Sequence, residues 1–573
     1  MLIIPDQIMI LSVATEEDRQ EIYRIRHKIY AEELNQHAAN SNYQLADELD
    51  FKNHYIVAKY GSQIIGFISV TCPGSKSYSV DKYFSRSVIP FPFDEYLYEI
   101  RLLTVLKQNR NSNLALALMF AAFRWVQSHG GLNIVAICRK DLIDMYCKAG
   151  LTPLALYASS GKVTYELAVA HIEDLQLIVN KKRWLYEALR KKIKWHLTYP
   201  FFAPAPCYHG GSFFKAVGED LQTLENAKQI INADVLDAWF PPSPNVLKAL
   251  QENLSFLIQT SPPTHAEGLV QVIAEVRGIK EKNILPGAGS SDLIFLSLTV
   301  LLSKKSRVLI IDPCYGEYIH VLEKVVQCNV TRFNLCRKEG FVVNTAALLQ
   351  EIKNNYDMVI LVNPNSPTGV YTPKKDMQDM LSRIPHSTIV WLDETYVDFV
   401  SSSESLENFA TQRENIIVCK SMSKVYALSG VRVAYLCCSA HLIEILKQFS
   451  PPWSISLPAQ AAAIAALFDK EYYSQMHART HVLRARLKQN LQKLGITEVV
   501  NGVANYLFFY LPQHFPQIGD FLESCKQKNL FLRDVSNMGN NIGKNAIRIA
   551  VKDEPTNERM VEIIKESVLE IAN

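Results

Sequence analysis

The chain has 573 residues, of which 48% are apolar and 20% charged, with 25 prolines spread along it. This length exceeds one compact core and predicts roughly two to four domains, and the composition is that of a globular protein without low-complexity tracts. The formal net charge of +3 excludes an argument from overall charge for nucleic acid or another polyanion as a partner.

Cysteine usage indicates a reduced compartment. The eleven cysteines are odd in number, include no C-x-x-C pair and lie mostly inside apolar runs such as YLCCS, which favours free thiols and argues against structural zinc or another metal. The N-terminal MLIIPDQIMILSVATEED has neither a basic start nor a long apolar run, and no later segment reaches eighteen uncharged apolar residues. We therefore expect a cytoplasmic protein without a signal peptide or a membrane span.

Residues 1–170 alternate helical and strand patterns. The segment EEDRQEIYRIRHKIYAEEL has helical spacing, HYIVAKYGSQIIGFISVT predicts a hairpin that turns at Gly61, and LALALMFAAFRWVQSH predicts a buried helix. We therefore expect a compact α/β domain here.

Residues 171–205 are strongly basic. Seven lysine and arginine residues fall between positions 181 and 194, and the proline-rich stretch YPFFAPAP follows them. We interpret this segment as a solvated helical linker between domains, and a helix on an anionic membrane surface is the alternative.

Residues 206–573 repeatedly place a short apolar strand before a polar loop. The segments are NILPGAGSSD, VLIIDPCYGEY, DMVILVNPNSPTG, TIVWLDETY and NIIVCKSMSK. Strands that alternate with helices predict a mostly parallel sheet, and ligands bind such sheets beyond the carboxyl ends of the strands. We expect a large domain at about residues 260–470, with a smaller α/β domain formed by the flanking segments.

The five loops together offer the groups that pyridoxal phosphate needs. Alone, each fits a plain structural role such as a capped turn, rim packing or a helix cap. Together they supply a helix start for a phosphate, tyrosines for stacking, an acid for a pyridine nitrogen, a phenol for a ring hydroxyl and a lysine for an imine. The residues are Ser290, Ser291, Tyr315, Tyr318, Asp393, Tyr396 and Lys424.

From about residue 230 to 573 the chain resembles the class I/II, fold-type I aminotransferases. The segments PGAGSSD, NPNSPTG, LDETYVDF, SMSKVYALSGVR and NAIRIAV occur in that family's order and most resemble its histidinol-phosphate aminotransferase branch. The resemblance implies a homodimer that binds pyridoxal phosphate and acts on a small amino donor and a keto acid.

The resemblance also implies roles for individual residues. Lys424 would be the Schiff-base lysine and the proton shuttle, Asp393 would keep the pyridine nitrogen protonated, and Tyr396 would bond the ring O3′. The arginine fork of Arg432 suits a phosphate. The other implied ligands are Tyr315 for stacking, Ser290, Ser291, Ser421 and Ser423 for the phosphate, and Arg548 for an anionic group of the substrate.

Two positions depart from the family pattern. The asparagine that usually precedes the second proline of its N-P-x-N-P-T-G motif is Ser366 here, so Ser366, Asn363 or Asn365 would bond O3′. The tyrosine that the partner subunit usually donates is missing from QTSPPTHAEGL, where Ser261 and His265 stand.

The first region contains two pieces that resemble GNAT acyltransferases. A strand in LLTVLKQNRNSNLALALMFAAF leads through Arg110 and Asn113 to a helix start that suits a pyrophosphate. Further on, Tyr146 stands four residues before Gly150. The resemblance implies an acyl-CoA or acyl-carrier thioester as co-substrate, with asparagine at Asn113 in place of the family's glycine.

The start of this region also resembles acyl-homoserine-lactone synthases, through RHKIYAEEL, LADELD and YEIRLLTV. This likeness implies that Glu99 positions or deprotonates an amine and that Tyr146 protonates a leaving thiolate. Ser69 stands where the synthases tend to have arginine. The other implied site residues are Arg26, Asp47 and Asp50.

We therefore predict an α/β protein with a GNAT-like domain at 1–170, a basic linker at 171–205 and a fold-type I transferase domain at 206–573. The leading hypothesis is an aminotransferase fused to an N-acyltransferase. The alternatives are a decarboxylase of the threonine-phosphate decarboxylase type and a sensor or binding protein whose acyltransferase domain is degenerate.

Overall fold

A computed structural model describes residues 8–74, 77–110, 112–203, 211, 213–218 and 223–572. The backbone divides into two units, Met1–Ala205 and Pro206–Asn573. Within the described residues, none of the helices is both long and apolar enough to span a bilayer.

Eight strands form the sheet of the first unit: β1 (Met9–Val13), β2 (Asn53–Tyr60), β3 (Gln63–Thr71), β4 (Leu97–Val105), β5 (Asn133–Arg139), β6 (Thr152–Ser160), β7 (Val163–His171) and β8 (Ile193–His196). Their spatial order is β6-β7-β5-β4-β3-β2-β1-β8. The central strands β4 and β5 are parallel, but they pair only from Leu97 with Asn133 to Ile100 with Ala136. Both strands continue beyond that point without pairing to each other.

The helices of the first unit are α1 (Glu16–Arg26), α2 (Leu114–Ser128), α3 (Ile143–Ala149), α4 (Ile172–Lys181) and α5 (Arg183–Arg190). The predicted first helix is confirmed, and it continues as a π-helical segment over His27–Glu33. The hairpin at Gly61 is also confirmed, as is the buried helix, α2, whose apolar side chains form the core of the unit.

Residues 171–203 differ from the predicted linker, because they are an integral part of the first unit. Strand β8 pairs in parallel with β1, and Leu175, Val179, Tyr186 and Leu189 are buried in the core of the unit. These apolar positions are spaced three or four residues apart within each helix, so one face is buried while the basic residues occupy the outer face. In the sequence, the many basic residues draw attention away from these regularly spaced apolar positions, so the segment is interpreted as a solvated linker.

The strands of the second unit are β9 (Ile231–Asn232), β10 (Ile284–Gly287), β11 (Arg307–Asp312), β12 (Asn329–Asn334), β13 (Met358–Val362), β14 (Ile389–Asp393), β15 (Ile416–Ser421), β16 (Ala434–Cys437), β17 (Tyr506–Tyr510), β18 (Leu530–Phe531), β19 (Arg533–Asp534) and β20 (Ala546–Ala550). Seven of them form a sheet with the order β10-β16-β15-β14-β13-β11-β12. Only β16 is antiparallel to its neighbours, so the prediction of a mostly parallel sheet is confirmed.

The helices of this unit are α6 (Phe214–Val217), α7 (Pro244–Gln259), α8 (Glu267–Arg277), α9 (Ser290–Leu301), α10 (Gly316–His320), α11 (Thr345–Ile352), α12 (Lys374–Ser382), α13 (Glu407–Thr411), α14 (Ala440–Lys447), α15 (Leu457–Phe468), α16 (Lys470–Lys493), α17 (Ile518–Gln527) and α18 (Glu554–Ala572). A smaller sheet, β17-β20-β19, shares a second core with α16, α17 and α18. Strand β9 pairs in parallel with β18, so the chain on both flanks of the large sheet folds together.

Candidate active site

The strands β13, β14 and β15 end side by side at one edge of the large sheet. Val362 lies opposite Asp393, and Asp393 lies opposite Cys419. The N–H of Asn363 donates to the carbonyl of Asp393 at 2.8 Å. The loops beyond these ends carry several of the predicted residues: Asn363, Asn365, Ser366, Tyr396, Ser423 and Lys424.

Lys424 lies in the loop after β15, and its side chain is 19% exposed. Its Nζ is 2.9 Å from Asp237 Oδ1 and donates to Ser429 Oγ at 3.3 Å. Burial alone would raise the pKa of the Asp237 carboxyl, but the neighbouring Lys424 ammonium lowers it. The sequence analysis missed Asp237, because INADVLDAWF does not alternate like a strand and its contact with Lys424 spans almost two hundred residues.

An anion-binding cradle forms where α9 begins. The first N–H groups of this twelve-residue helix have no acceptor within the helix, so they favour an anion. Arg432 donates from Nη1 to the Ser429 carbonyl at 3.0 Å and to Ser423 Oγ at 3.4 Å. A Cβ on Gly289 would stand 2.4 Å from Arg432 Nη2 and would displace the guanidinium, and the φ of +96° itself favours glycine at this position.

The predicted serines occupy different places around this cradle. Ser290 is the first residue of α9, while the hydroxyl of Ser291 already donates to Glu317 Oε2 at 3.0 Å. Ser421 ends β15, and its Oγ accepts from the N–H of Ser423 at 3.3 Å. Ser290, Ser421 and Ser423 thus have hydroxyls that no acidic side chain accepts within the described residues.

Asp393 is a buried carboxylate at the end of an apolar strand. Its Oδ2 accepts from the hydroxyl of Tyr318 at 2.7 Å, and its Oδ1 accepts from the N–H of Thr395 at 2.9 Å. The indole of Trp391 donates in turn to the Tyr318 hydroxyl at 2.8 Å. Burial raises the pKa of Asp393 despite these bonds, so a nearby cation would find a strong partner here.

Tyr315 and Tyr318 follow β11 on either side of the start of α10. Their rings meet edge to face at 6.0 Å, with Tyr318 buried and Tyr315 partly exposed. Tyr318 thus holds the Asp393 carboxylate through its hydroxyl. Because Tyr315 is the more exposed of the two rings, it is the one that a ligand could contact.

Tyr396, Tyr506 and Arg548 form a column beside this carboxylate. The rings of Tyr396 and Tyr506 meet edge to face at 5.4 Å, and the Arg548 guanidinium lies 5.6 Å from the centroid of Tyr506. Burial raises the pKa of Tyr396, and its hydroxyl has no hydrogen bond within the described residues. Arg548 donates to the Asp234 carbonyl at 3.3 Å, whereas its buried Nε has no partner among the residues described. Tyr506 lies inside the apolar run YLFFY, a pattern that predicts a buried strand and gives no indication that this tyrosine belongs to a site.

The loop after β13 uses its asparagines unequally. Asn363 donates to and accepts from the backbone of Thr372 at 2.8 Å, so its side chain closes the loop and is not available to a ligand. Asn365 donates to the Pro313 carbonyl at 3.1 Å, while its buried Oδ1 has no partner in the part of the chain described. Ser366 is also buried, and the hydroxyl of Tyr506 donates to the backbone carbonyl of Asn365 at 2.8 Å. Of the three, Asn365 has the polar atom that still needs a partner.

A buried ionic cluster lies behind the loop of Lys424. Lys420 Nζ lies 3.0 Å from Asp398 and 3.8 Å from Glu394, and Arg277 lies 3.2 Å from Asp398 and 3.8 Å from Glu407. Burial acts against ionisation, yet Arg277 and Lys420 hold the pKa of Asp398 well below its usual range. The cluster therefore fixes the strand that delivers Lys424, and it contains one carboxylate more than it has cations.

The free energy of unfolding should fall as the pH rises towards neutrality, because burial raises the pKa of Glu394 to about 7 from 4.5. Between these values the folded chain holds a proton that the unfolded chain releases. The stabilisation is complete below about pH 4.5 and is lost as the pH passes about 7, a change of up to about 3 kcal/mol. Urea unfolding at about pH 5 and about pH 8 measures it. An unchanged pH dependence in Glu394→Gln would contradict this assignment.

The first unit has two cavities that meet at Tyr146. One, of about 60 Å³, is apolar and opens where β4 and β5 separate; the other, of about 150 Å³, is polar. Tyr146 lines both cavities, and burial raises the pKa of its hydroxyl. The polar cavity is lined by Arg26 and by Asp47, which contacts Arg26 at 3.5 Å and forms a close pair with Arg101. Asp50 supports it from behind through a 2.6 Å ion pair with Arg26.

Glu99, Arg110 and Asn113 lie apart from these cavities. Among the described residues Glu99 lines neither of them, because its oxygens accept from Ser79 N, Ser79 Oγ and Val80 N at 2.6–2.9 Å. The structure therefore does not bring Glu99 to the expected amine. Arg110 donates to the Val105 carbonyl at 3.2 Å, and Asn113 immediately precedes α2. They stand at a helix start that lies at the surface.

Comparisons with known proteins find relatives of the second unit. Residues 231–564 match the family described as aminotransferase class I and II. Over 340 residues the chain is 30% identical to histidinol-phosphate aminotransferase 2 of Archaeoglobus fulgidus. The aligned residues cover 59% of this chain and 93% of that protein. It is 26% identical over 342 residues to the histidinol-phosphate aminotransferase of Rhodopseudomonas palustris, covering 59% and 91%.

Solved structures share the same fold. The histidinol-phosphate aminotransferase of Clostridium acetobutylicum superimposes with a TM-score of 0.54 at 23% identity, over 60% of this chain and all of that one. The L-threonine-O-3-phosphate decarboxylase of Porphyromonas gingivalis superimposes with a TM-score of 0.53 at 21% identity, with the same coverage. At these identities the likeness establishes the fold alone.

Proposed function

The chain belongs to the class I and II aminotransferases, and on that basis we propose that it is a pyridoxal-phosphate-dependent aminotransferase. Its substrates would be an amino acid or amino-phosphate donor and a keto acid. The observation that carries the proposal is the placement of Lys424 in the loop of an edge that also presents buried Asp393 and the anion-binding start of α9.

The residues at this edge fit the cofactor. Arg432, the N–H groups that open α9 and the hydroxyls of Ser290, Ser421 and Ser423 would hold its phosphate. Asp393 would meet its ring nitrogen, since a buried carboxylate needs a cation. The ring hydroxyl would accept from the hydroxyl of Tyr396 and donate to the buried Oδ1 of Asn365, and Tyr315 would cover the ring.

Each residue has a separate task in the reaction. The bound cofactor supplies an electron sink for the bonds at the substrate α-carbon. Lys424 Nζ would carry the cofactor and afterwards move the α-proton. Asp393 would keep a proton on the ring nitrogen, with Tyr318 and Trp391 fixing its orientation. Arg548, which has a spare buried donor, would bind the carboxylate or phosphate of the substrate.

The test is a panel of amino donors given to the purified protein. Conversion of the bound cofactor to its amine form, followed by visible absorbance, supports transamination. Release of carbon dioxide instead would support the alternative, a decarboxylase of the threonine-phosphate type. Absence of any cofactor band in the wild-type protein would reject the proposal and favour a binding protein.

A homodimer is proposed on an exposed apolar face. The side chains of Leu247, Leu254 and Ile258 are exposed along one side of α7, and Ile258 is 70% exposed. Such a row is typical of an interface. Sedimentation of the wild type and of Leu254→Lys would test whether a second copy covers it.

For the first unit we propose N-acyl transfer from an acyl thioester. The carrying observation is Tyr146, which lies where the apolar cavity meets the polar one. The apolar cavity suits an acyl chain, and the polar cavity, with Arg26 and Asp47, suits an amine-bearing acceptor. The raised pKa of Tyr146 keeps its hydroxyl protonated, as an acid for the leaving thiolate must be.

Replacing Tyr146 by phenylalanine should lower the rate of thiol release from acyl-CoA or acyl-carrier donors by about a hundredfold, because it removes the proton donor but not the ring. Tyr96→Phe, a change at an exposed tyrosine of the same unit, should keep the full rate. A Tyr146→Phe variant as fast as the wild type would remove this role from Tyr146. Silence of the wild type with both donors would favour a degenerate domain.

A further inference from the structure

The outer faces of α4 and α5 carry a row of basic and apolar side chains. Leu177 and Lys181 lie four residues apart in α4, and Trp184 and Ala188 lie four residues apart in α5, so each pair lies on one side of its own helix; Lys191 directly follows α5. Trp184 is 73% exposed and Leu177 is 55% exposed. A large aromatic side chain this exposed costs free energy in water unless something covers it.

The charge around this row is mostly positive, although the exposed Glu173 and Asp174 precede Leu177 in the first turn of α4. Seven lysine and arginine residues lie between positions 177 and 196 against one acidic residue, Glu187. Glu187 is already shared by Arg183 at 3.2 Å and Arg190 at 4.0 Å. Within the described ranges no carboxylate lies within 4.0 Å of the ammonium groups of Lys181, Lys191, Lys192 and Lys194.

The row is held on a rigid support. Leu175, Val179, Tyr186 and Leu189 on the inner faces of the same helices are buried in the core of the first unit. The outer face is therefore preformed and does not need to fold when it binds. Three of these residues, Leu175, Val179 and Tyr186, also line the apolar cavity, so one pair of helices separates that cavity from the basic surface.

We propose that this face, formed by Leu177, Lys181, Trp184, Lys191, Lys192 and Lys194, binds an anionic membrane surface. Indole and leucine side chains enter the boundary between headgroups and acyl chains, while lysines place their stems along the apolar layer and their ammonium groups among the phosphates. The phosphate backbone of a nucleic-acid duplex would use the lysines and leave Trp184 and Leu177 in water. The proposal does not depend on the cofactor chemistry of the second unit.

The test is co-sedimentation of the full-length protein with vesicles of phosphatidylcholine alone and of phosphatidylcholine mixed with phosphatidylserine. Binding should require phosphatidylserine and weaken as salt is added. Lys181→Glu with Lys191→Glu should weaken it by roughly fivefold or more for each lysine changed. Trp184→Ser should also weaken it, and in the wild type the Trp184 fluorescence, obtained by difference with Trp184→Phe, should shift to the blue on binding.

The matched control is Lys304→Glu with Lys305→Glu, which makes the same change in net charge at exposed lysines of the second unit. It should bind as the wild type does. Equal binding to neutral and anionic vesicles, equal losses in the control and the patch variant, or no binding at all would overturn the proposal. An acidic protein that binds while vesicles do not would overturn it as well.

Discussion

Replacing Lys424 by alanine should abolish both transamination and the covalent attachment of pyridoxal phosphate. No other amine is available in the loop after β15, so the rate should fall by roughly a thousandfold or more. Borohydride reduction of the wild type, followed by digestion and mass spectrometry, should place the cofactor on the peptide that contains Lys424. The same treatment of Lys424→Ala should find none there.

Two variants distinguish the chemical role of the Lys424 amine from the effect of its positive charge. Lys424→Arg keeps a cation beside Asp237 and should fold normally, yet it should be as inactive as the alanine variant. Lys447→Ala changes an exposed lysine of the same unit and should keep full activity. A covalent cofactor and normal turnover in Lys424→Ala would contradict the assignment of the site.

Replacing Lys420 by methionine should lower the free energy of unfolding by about 3–5 kcal/mol. The change removes the ammonium that lies 3.0 Å from Asp398 and 3.8 Å from Glu394, so buried Glu394 loses its cation and Asp398 keeps Arg277 alone. Chemical denaturation at neutral pH measures the loss, and the loss should shrink in acid as Glu394 takes up a proton.

The comparison for this change is Lys338→Met, which removes an exposed ammonium. It should shift the free energy of unfolding by no more than about 0.5 kcal/mol. A loss in Lys420→Met as small as in this control would show that the buried cluster does not hold β15 in place.

Lys420 and Lys424 illustrate how far the sequence could be taken. Lys424 follows an apolar run and stands among small hydroxyl residues, so its place beyond a strand end was predictable from pattern. Lys420 stands inside the same run. Nothing in NIIVCKSMSK shows whether this lysine is buried in ion pairs with carboxylates or is exposed at the end of a strand. Its partners Asp398, Glu394 and Arg277 come from separate elements, which only the packing brings together.

The large sheet was predictable because each parallel strand is an almost uninterrupted apolar run followed by a loop. The residues that contact the site from distant parts of the chain were not predictable. Asp237 and Tyr506 reach Lys424 and Tyr396 from the two ends of the second unit, and a pattern within one segment does not report contacts between distant ones. The same limit explains Glu99: its apolar strand was evident, but the turn at Ser79 that occupies its oxygens was not.

The ion pair between Lys424 and Asp237 would make loading of the cofactor a proton-coupled event. Because an ammonium has no free electron pair, Nζ would have to give up a proton before it could hold the cofactor. If Nζ held the cofactor, Asp237 would give up its 2.9 Å contact with an ammonium, and Lys552, whose charge also lowers the pKa of Asp237, would be the cation that stays near it.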